Sequence, residues 1–549
     1  MRKTGRHFFA SRSKAKRVAE PIDSDRREGD AGAKPLRSLA PPASGHRFLV
    51  TICAMSATIM QALDTTIANV ALPYMQGSLS ASLDQINWVL TSFIVTAAIM
   101  TAPIGWLADR YGRKRLFILC VAGFTLASVF CGLASNITEM VGFRLLQGAF
   151  GAALVPLSQI VMLDSYSVQE RGSAMAIWGM GVMLGPIMGP TLGAWLTDTY
   201  GWRYVFFINL PIGILTTFGL LAFMSETPTE HERRFDGFGF LALAVGIGAL
   251  QMMLDRGERL GWFDSGEIVA EALISAAGFY FFLAHSLTTP DPFMRFALFR
   301  DRNFTVGCLF MVIMGVVLFG TMALVTPFMQ TIVGYPILTA GFLLGARGVG
   351  TLIAMAFVGR LMKRLEARHI VLCGLILAAL TLDQMIDFSD RTSAETIILA
   401  SVAQGFGLGL VFVPLNAMAF ASLPHYLRTE GAAVLTLLRN VGSSIGISIM
   451  IARLTSLTTL MHAHLAESVT PFNDALQAPD VARILNETTE KGLAMTEALV
   501  SQQAAIIAYA NDFKLLMVLI LAALPCVFLL GSSRTQGAGP SEPTEPAFE

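Results

Sequence analysis

The sequence predicts an all-α integral membrane protein with fourteen spanning helices, two six-helix bundles with two further helices inserted between them. Three observations carry that expectation. Of the 549 residues, 54% are hydrophobic and 14% charged, with a mean hydropathy of +0.60; a soluble domain carries about 25% charged residues. Apolar runs recur along the chain, each near the ~20 residues that cross ~30 Å of hydrocarbon. One pattern of residues also occurs twice, eight spans apart.

The chain opens with a polar arm, 1–47, biased to Lys and Arg near its start and expected to be disordered. It is no secretory signal, because the apolar run behind it is of spanning length and introduces many more. Spans are expected at 48–73, 86–108, 116–134, 137–164, 172–196 and 204–224, then 238–254 and 268–287, then 303–330, 337–361, 370–388, 394–423, 431–454 and 513–530. The first six (48–224) form one bundle, the next two (236–289) the insert, and the last six (303–530) the second bundle, with a tail at 531–549. Alternate connections are basic: 109–115, 169–171, 229–234, 295–302, 363–369 and 425–428 contain Lys or Arg, whereas 74–85, 135–136 and 331–336 contain none. By the positive-inside rule both termini are expected in the cytoplasm. Arg256 and Arg259, on the other side, break the pattern and have Asp255 and Glu258 as neighbours.

The repeat reads Ala153-Leu-Val-Pro156-Leu-Ser158 and then Glu170-Arg-Gly172 before a Gly-rich span; later Leu410-Val-Phe-Val-Pro414-Leu-Asn416 and then Thr429-Glu-Gly431 precede another. Parallel repeats about an axis along the membrane normal suit transporters that rock two halves around a midplane site.

Asp64 lies inside the first span. A charge at the centre of a spanning helix costs about 2.5–3.5 kcal/mol on insertion scales, so it is expected to face a bundle interior or an aqueous path. It is nine residues short of Pro73, and Arg144 is seven past Ile137 on a span running the other way. At 1.5 Å per residue both lie about 10–14 Å below the same surface and could pair. A guanidinium favours a carboxylate's charged form and burial its neutral form, a balance suited to taking up and releasing a proton. A static ion pair is the simpler alternative. Gly181, Gly185, Pro186, Gly189, Pro190 and Gly193 place small residues at four-residue spacing, a face for close helix packing; the prolines are expected to bend that helix. Polar residues inside other spans, Gln61, Gln159, Asn209, Gln330, Arg347, Gln404, Asn416, Arg439 and Asn440, are candidates for the wall of a substrate cavity. The six cysteines show no CxxC or paired spacing and read as packing residues.

Five ordered stretches resemble the fourteen-span drug:proton antiporters of the major facilitator superfamily. They are Leu63-Asp-Thr-Thr-Ile-Ala-Asn-Val-Ala-Leu-Pro73, Gly105-Trp-Leu-Ala-Asp109-Arg110-Tyr-Gly112-Arg113-Lys114, Arg144-Leu-Leu-Gln147-Gly148-Ala-Phe-Gly151, Gly181 to Gly193, and Trp202-Arg203 to Gly213. The resemblance implies a major facilitator fold in a bacterial inner membrane. It implies proton coupling through Asp64 and Arg144, and a cytoplasmic gating motif of Gly105, Asp109, Arg110, Gly112 and Arg113. The Gly181 to Pro190 segment is implied to be the antiporter motif of an exporter. In the second half, Gly359-Arg-Leu-Met-Lys363-Arg364 is only a degenerate copy of the gating motif. The implied activity is export of lipophilic drugs or toxic compounds, with Asp64 weakly favouring cations; export of one metabolite, such as a siderophore or lipid-like acid, is the alternative. No cofactor is expected, the proton gradient rather than ATP being the energy source. In the connection 456–511, Ser468-Val-Thr-Pro-Phe-Asn473 followed by a helical stretch to about Gln503 resembles the corresponding loop of EmrB-type pumps, which implies a periplasmic adaptor and an outer-membrane channel as partners, besides small-molecule substrate, protons and lipid. No nucleic-acid partner is expected.

Enzyme signatures fail on inspection. Gly345-Ala-Arg-Gly-Val-Gly350 lacks the phosphate-loop lysine, His231-Glu232 lacks the second histidine at Phe235, and Gly442-Ser-Ser444-Ile-Gly446 falls inside a span rather than at a strand-to-helix turn.

Overall fold

The computed structural model describes residues 44–167, 170–226, 234–289, 292–470 and 489–531. Most of the N-terminal arm, nearly all of the tail and residues 471–488 of the last long connection lie outside the described residues.

The first bundle comprises α1 (Ser44–Ser78), α2 (Leu83–Thr101) with α3 (Ile104–Tyr111), α4 (Arg113–Leu133), α5 (Ile137–Gly151) with α6 (Leu154–Ser165), α7 (Arg171–Tyr200), and α8 (Tyr204–Phe207) with α9 (Asn209–Phe223). The insert is α10 (Gly237–Arg256) and α11 (Gly266–Thr288). The second bundle is α12 (Arg302–Thr331), α13 (Ile337–Leu361), α14 (Ala367–Ile386), α15 (Ala394–Ala419), α16 (Arg428–Ala466) and α17 (Glu490–Ala523). Among the described residues twelve segments are long and apolar enough to cross a membrane, and the bent pair α2–α3 makes a thirteenth. α7, at 30 residues, is also longer than the ~20 residues a crossing needs but is not among these.

Local chemistry sets the ends and breaks of these helices. Ser82 and Gln85 form a reciprocal capping box at the start of α2, and Asn136, Asp236, Asp301, Ser393 and Thr489 cap α5, α10, α12, α15 and α17; each satisfies an N–H that the helix leaves open. The span expected at 86–108 is broken, bending by 58° between α2 and α3. Pro103, at the break, has no N–H to continue the ladder. The span at 137–164 is interrupted at Ala152 and Ala153, where the Pro156 ring excludes a bond to the carbonyl four residues back. Gly112 joins α3 to α4 at φ 83°, a conformation that disfavours any side chain.

The last connection differs most from expectation. α16 is 39 residues and α17 is 34, roughly 58 and 51 Å at 1.5 Å per residue. Both therefore continue well past the ~30 Å hydrocarbon layer. Of the connection expected at 456–511, the helical stretch up to about Gln503 is met in part by α17 from Glu490, while the helix of 456–466 is not expected; neither Gly nor Pro interrupts 447–466 or 493–523. His462 Nε2 meets Glu497 Oε1 at 2.8 Å between the two extensions.

α10 and α11 pack on each other, and α10 also touches α2 and α16. Arg256, one of the misplaced cations, pairs with Glu267 at 2.6 Å and Glu271 at 3.1 Å on α11. Asp255, its expected neighbour, instead accepts from the Thr91 hydroxyl on α2. All six cysteines are free; Cys373 is exposed, so it does not pack as expected.

Candidate functional site

Asp64 and Arg144 are both fully buried, and Arg144 Nη1 donates to Asp64 Oδ2 at 2.6 Å. Gln147, one turn beyond Arg144 on α5, donates to Asp64 Oδ1 at 2.8 Å and accepts from Arg144 Nη1 at 2.9 Å. Asn209 Nδ2 reaches the same Oδ1 at 3.3 Å and Ser128 Oγ at 3.0 Å. Arg144 Nε donates to the Val89 carbonyl at 2.8 Å, and its guanidinium carbon lies 4.3 Å from the Phe93 ring centroid. Opposite charges and several hydrogen bonds offset the desolvation that a buried pair incurs. With no solvent exposure on either group, a proton reaches Asp64 only if the packing around it changes.

Asn209, expected as a cavity-wall candidate, thus hydrogen-bonds the acid itself. Gln147 and Ser128 were missed as functional residues. The signal for Gln147 was available in its i+3 spacing from Arg144, which puts both on one helix face.

The glycine face of α7 lies against α1 beside the acid. A Cβ on Gly181 would lie 2.7 Å from Met55, on Gly185 2.2 Å from the Ala62 backbone, on Gly189 2.0 Å from Thr66 Oγ1 and on Gly193 2.9 Å from Ile67. Thr66 Oγ1 also donates to the Gly185 carbonyl at 3.1 Å. The close interface is thus within the first bundle. α7 is helical through Pro186 and Pro190, whose side chains lie outside the described residues.

A different set of α7 residues meets the second bundle. Cβ atoms on Gly172 and Gly179 would lie 3.3 Å and 2.9 Å from Met362 and Met355, and Ser173 packs on Gly359. Trp178 stacks on Phe412 with centroids 5.9 Å apart and donates to Ser158 Oγ at 3.0 Å. Beside them Gln159 Nε2 donates to Asn416 Oδ1 at 2.8 Å, joining α6 to α15. These two cavity candidates are spent on each other. Farther along α13, Gly341 and Gly345 have nothing within 4 Å of where a Cβ would stand.

The end of the seam carries charge. Asp164 at the end of α6 accepts from Arg113 at the start of α4 and lies 3.8 Å from Arg428 at the start of α16. Gly105 sits against Glu430, with Cβ to Cβ 2.9 Å if it had one. Glu430 in turn accepts from the backbone of Arg295, much as Glu170 accepts from Arg47 at 2.8 Å near the start of the first bundle. Sequence reasoning missed Asp164 and Arg428 as a pair, since nothing local links positions 264 residues apart. Arg110 is exposed, and Asp109 is half-buried. Of the other candidates, Arg347 and Gln404 are buried, with Gln404 Nε2 at 3.5 Å from Thr321 Oγ1, while Gln61, Gln330, Arg439 and Asn440 are half-buried.

Two helical bundles, twelve to thirteen candidate spans among the described residues and a charge pair buried within one bundle define a multi-pass membrane transporter. The chain belongs to the Major Facilitator Superfamily, whose family model matches residues 54–452. It is 36% identical over 446 residues to the multidrug export protein EmrB of Escherichia coli K12, covering 80% of this chain and 86% of that protein. It is 33% identical over 503 residues to the fatty acid resistance protein FarB of Neisseria gonorrhoeae, covering 91% and 99%. Among solved structures, the proton:xylose symporter XylE is similar in fold, with TM-score 0.54 at 14% identity, covering 88% of this chain and 96% of that one.

Proposed function

We propose that this protein is a proton-coupled antiporter that exports lipophilic toxic compounds from the cytoplasm across a bacterial inner membrane. The observation that carries the coupling is the fully buried Asp64, held by Arg144 and Gln147 and packed beside the α7 glycine face. A carboxylate that exchanges its proton only when its packing opens links proton movement to alternation between two states. The names of the relatives, multidrug export and fatty acid resistance, support the cargo class; the second leaves a single lipid-like acid as the alternative cargo. In this reading the face bearing Arg113, Asp164 and Arg428 is cytoplasmic, both termini lie there, and that side of the seam is closed. The helical extensions of α16 and α17 then project outward, where a periplasmic adaptor leading to an outer-membrane channel would meet them.

The test is a susceptibility panel in cells expressing the wild type or Asp64→Asn at matched levels. The wild type protects against several unrelated lipophilic compounds and the variant does not. In everted vesicles, uptake stops on adding a protonophore and is indifferent to ATP; uphill transport that persists in Asp64→Asn at the expense of a pH gradient overturns the assignment.

A further inference from the structure

The two bundles differ in charge balance at mid-membrane. In the first, the fully buried cation and the fully buried acid face each other, Arg144 with Asp64 at 2.6 Å. In the second, the pair Arg453 on α16 and Asp512 on α17, at 3.2 Å, lies fourteen residues beyond Arg439 and so outside the middle of the membrane. Arg347 on α13 and Arg439 on α16 have no carboxylate in ion-pair reach among the described residues.

Arg347 keeps 6% of its exposure and donates one bond, from Nη1 to the Leu318 carbonyl at 3.3 Å. Its Nε and Nη2 have no partner. Arg439 is half-buried and its guanidinium bonds to no described residue. The two flank one turn of α12: Arg347 bonds Leu318, and the Arg439 carbonyl would lie 2.3 Å from a Cβ on Gly315, three residues earlier. Arg347 is ten residues into α13 and Arg439 eleven into α16, which enter from opposite faces. At 1.5 Å per residue both are about 15 Å deep, near the middle of the hydrocarbon layer.

An unpaired guanidinium at that depth is costly, and such residues face a bundle interior or aqueous path and meet a counter-charge there. Among the described residues no carboxylate meets either, and the buried Asp64 carboxylate already accepts from Arg144, Gln147 and Asn209. We infer that Arg347 and Arg439 form the anion-recognising part of the cargo site and that the exported compound is a lipophilic anion, an apolar body bearing a carboxylate or similar acid. Arginine suits this role because its planar fork of donors matches the two oxygens of a carboxylate. The inference rests on the export reading and replaces the weak preference for cations that Asp64 alone suggests.

The experiment is a fluorescence titration of the purified full chain at pH 7 with three probes sharing one apolar body: 1-pyrenebutyrate, its primary amide, and the trimethylammonium analogue. Dodecanoate is added as a competitor to compare an aliphatic with an aromatic acid. The carboxylate binds about tenfold or more tighter than the amide, with the ammonium weakest, and dodecanoate displaces it. In Arg439→Gln and Arg347→Gln the carboxylate-to-amide ratio falls towards one, while Arg439→Lys retains part of it. Gel-filtration profile and melting temperature report whether each variant folds, and if one does not, the wild-type order decides alone. Equal affinity for acid and amide, a preference for the ammonium, no binding of any probe, or an unchanged ratio in both folded glutamine variants overturns the inference. Failure of the wild type to protect cells in the susceptibility panel overturns the export reading instead, so the two failures are distinguishable.

Discussion

Gln159 and Asn416 form a 2.8 Å hydrogen bond across the seam between the bundles, from positions that the internal repeat makes near-equivalents. Both are buried, and Asn416 also donates to the Phe412 carbonyl at 2.8 Å. Replacing one partner by leucine leaves the other unsatisfied, at a cost of about 1–3 kcal/mol, whereas replacing both removes the unpaired group. Thermal unfolding in detergent is therefore expected to show Gln159→Leu/Asn416→Leu less destabilised than the sum of the single variants. Additive losses would mean that the two side chains do not act together.

Arg144 is held at several points, through Nε to Val89, through Nη1 to Asp64 and Gln147, and over the Phe93 ring. Lysine keeps the charge but not the fork, and an ammonium on a flexible stem cannot reach all of these acceptors in the same geometry. Arg144→Lys is expected to reach the membrane in normal amount and to lose tenfold or more of its proton-driven export, about 1.4 kcal/mol or more in the rate-limiting step. Initial rates in vesicles under an imposed pH gradient measure it.

The sequence made the spans and the Asp64–Arg144 depth match legible because hydropathy and the 1.5 Å helical rise act locally. The glycine spacing on α7 likewise announced close packing. What it could not announce was the partner: Gly185 meets Ala62, Gln159 meets Asn416 and Asp164 meets Arg428 only once distant helices are assembled. The bond from Asn209 to Asp64 is equally invisible in the sequence, because a polar group in a span has the same appearance whether it faces cargo or another side chain. The helical stretch expected up to about Gln503 overlaps the extension of α17, but the extension of α16 has no such signal, because hydropathy registers lipid and not helix that continues into water.

Gly185 offers a sharp steric test. A methyl group there would stand 2.2 Å from the Ala62 backbone carbon, two residues from Asp64, and backbone cannot rotate away as a side chain can. Overpacking of this kind costs about 1–3 kcal/mol and more where backbone must shift. Gly185→Ala is expected to lower the melting temperature and abolish export together. Gly341→Ala, where nothing lies within 4 Å, is the control, and there the gain in helix propensity makes the chain unchanged or more stable by up to about 1 kcal/mol.

Asp236 predicts a dependence on pH outside the spans. It caps α10 through Gly239 N at 2.9 Å, accepts from Phe293 N at 3.0 Å, and meets His285 Nε2 at 2.9 Å. Partial burial pushes its carboxyl up, but the two backbone N–H bonds and His285 together outweigh it and hold it below the usual carboxylate range. A depressed folded value means that its stabilisation is complete above the ordinary carboxyl range and is lost as pH falls through the folded value. Asp236→Ala is thus expected to cost about 1 kcal/mol at pH 7, the usual worth of an N-cap. The gap from wild type narrows as pH falls below about 4. Asp236→Asn, which keeps a capping oxygen without the charge, should show a smaller loss at pH 7 and a flatter difference across the range. Melting curves of the three chains from pH 7 down to the acid limit of folding measure both effects, and a gap that widens on acidification would show that Asp236 is not stabilised as a carboxylate.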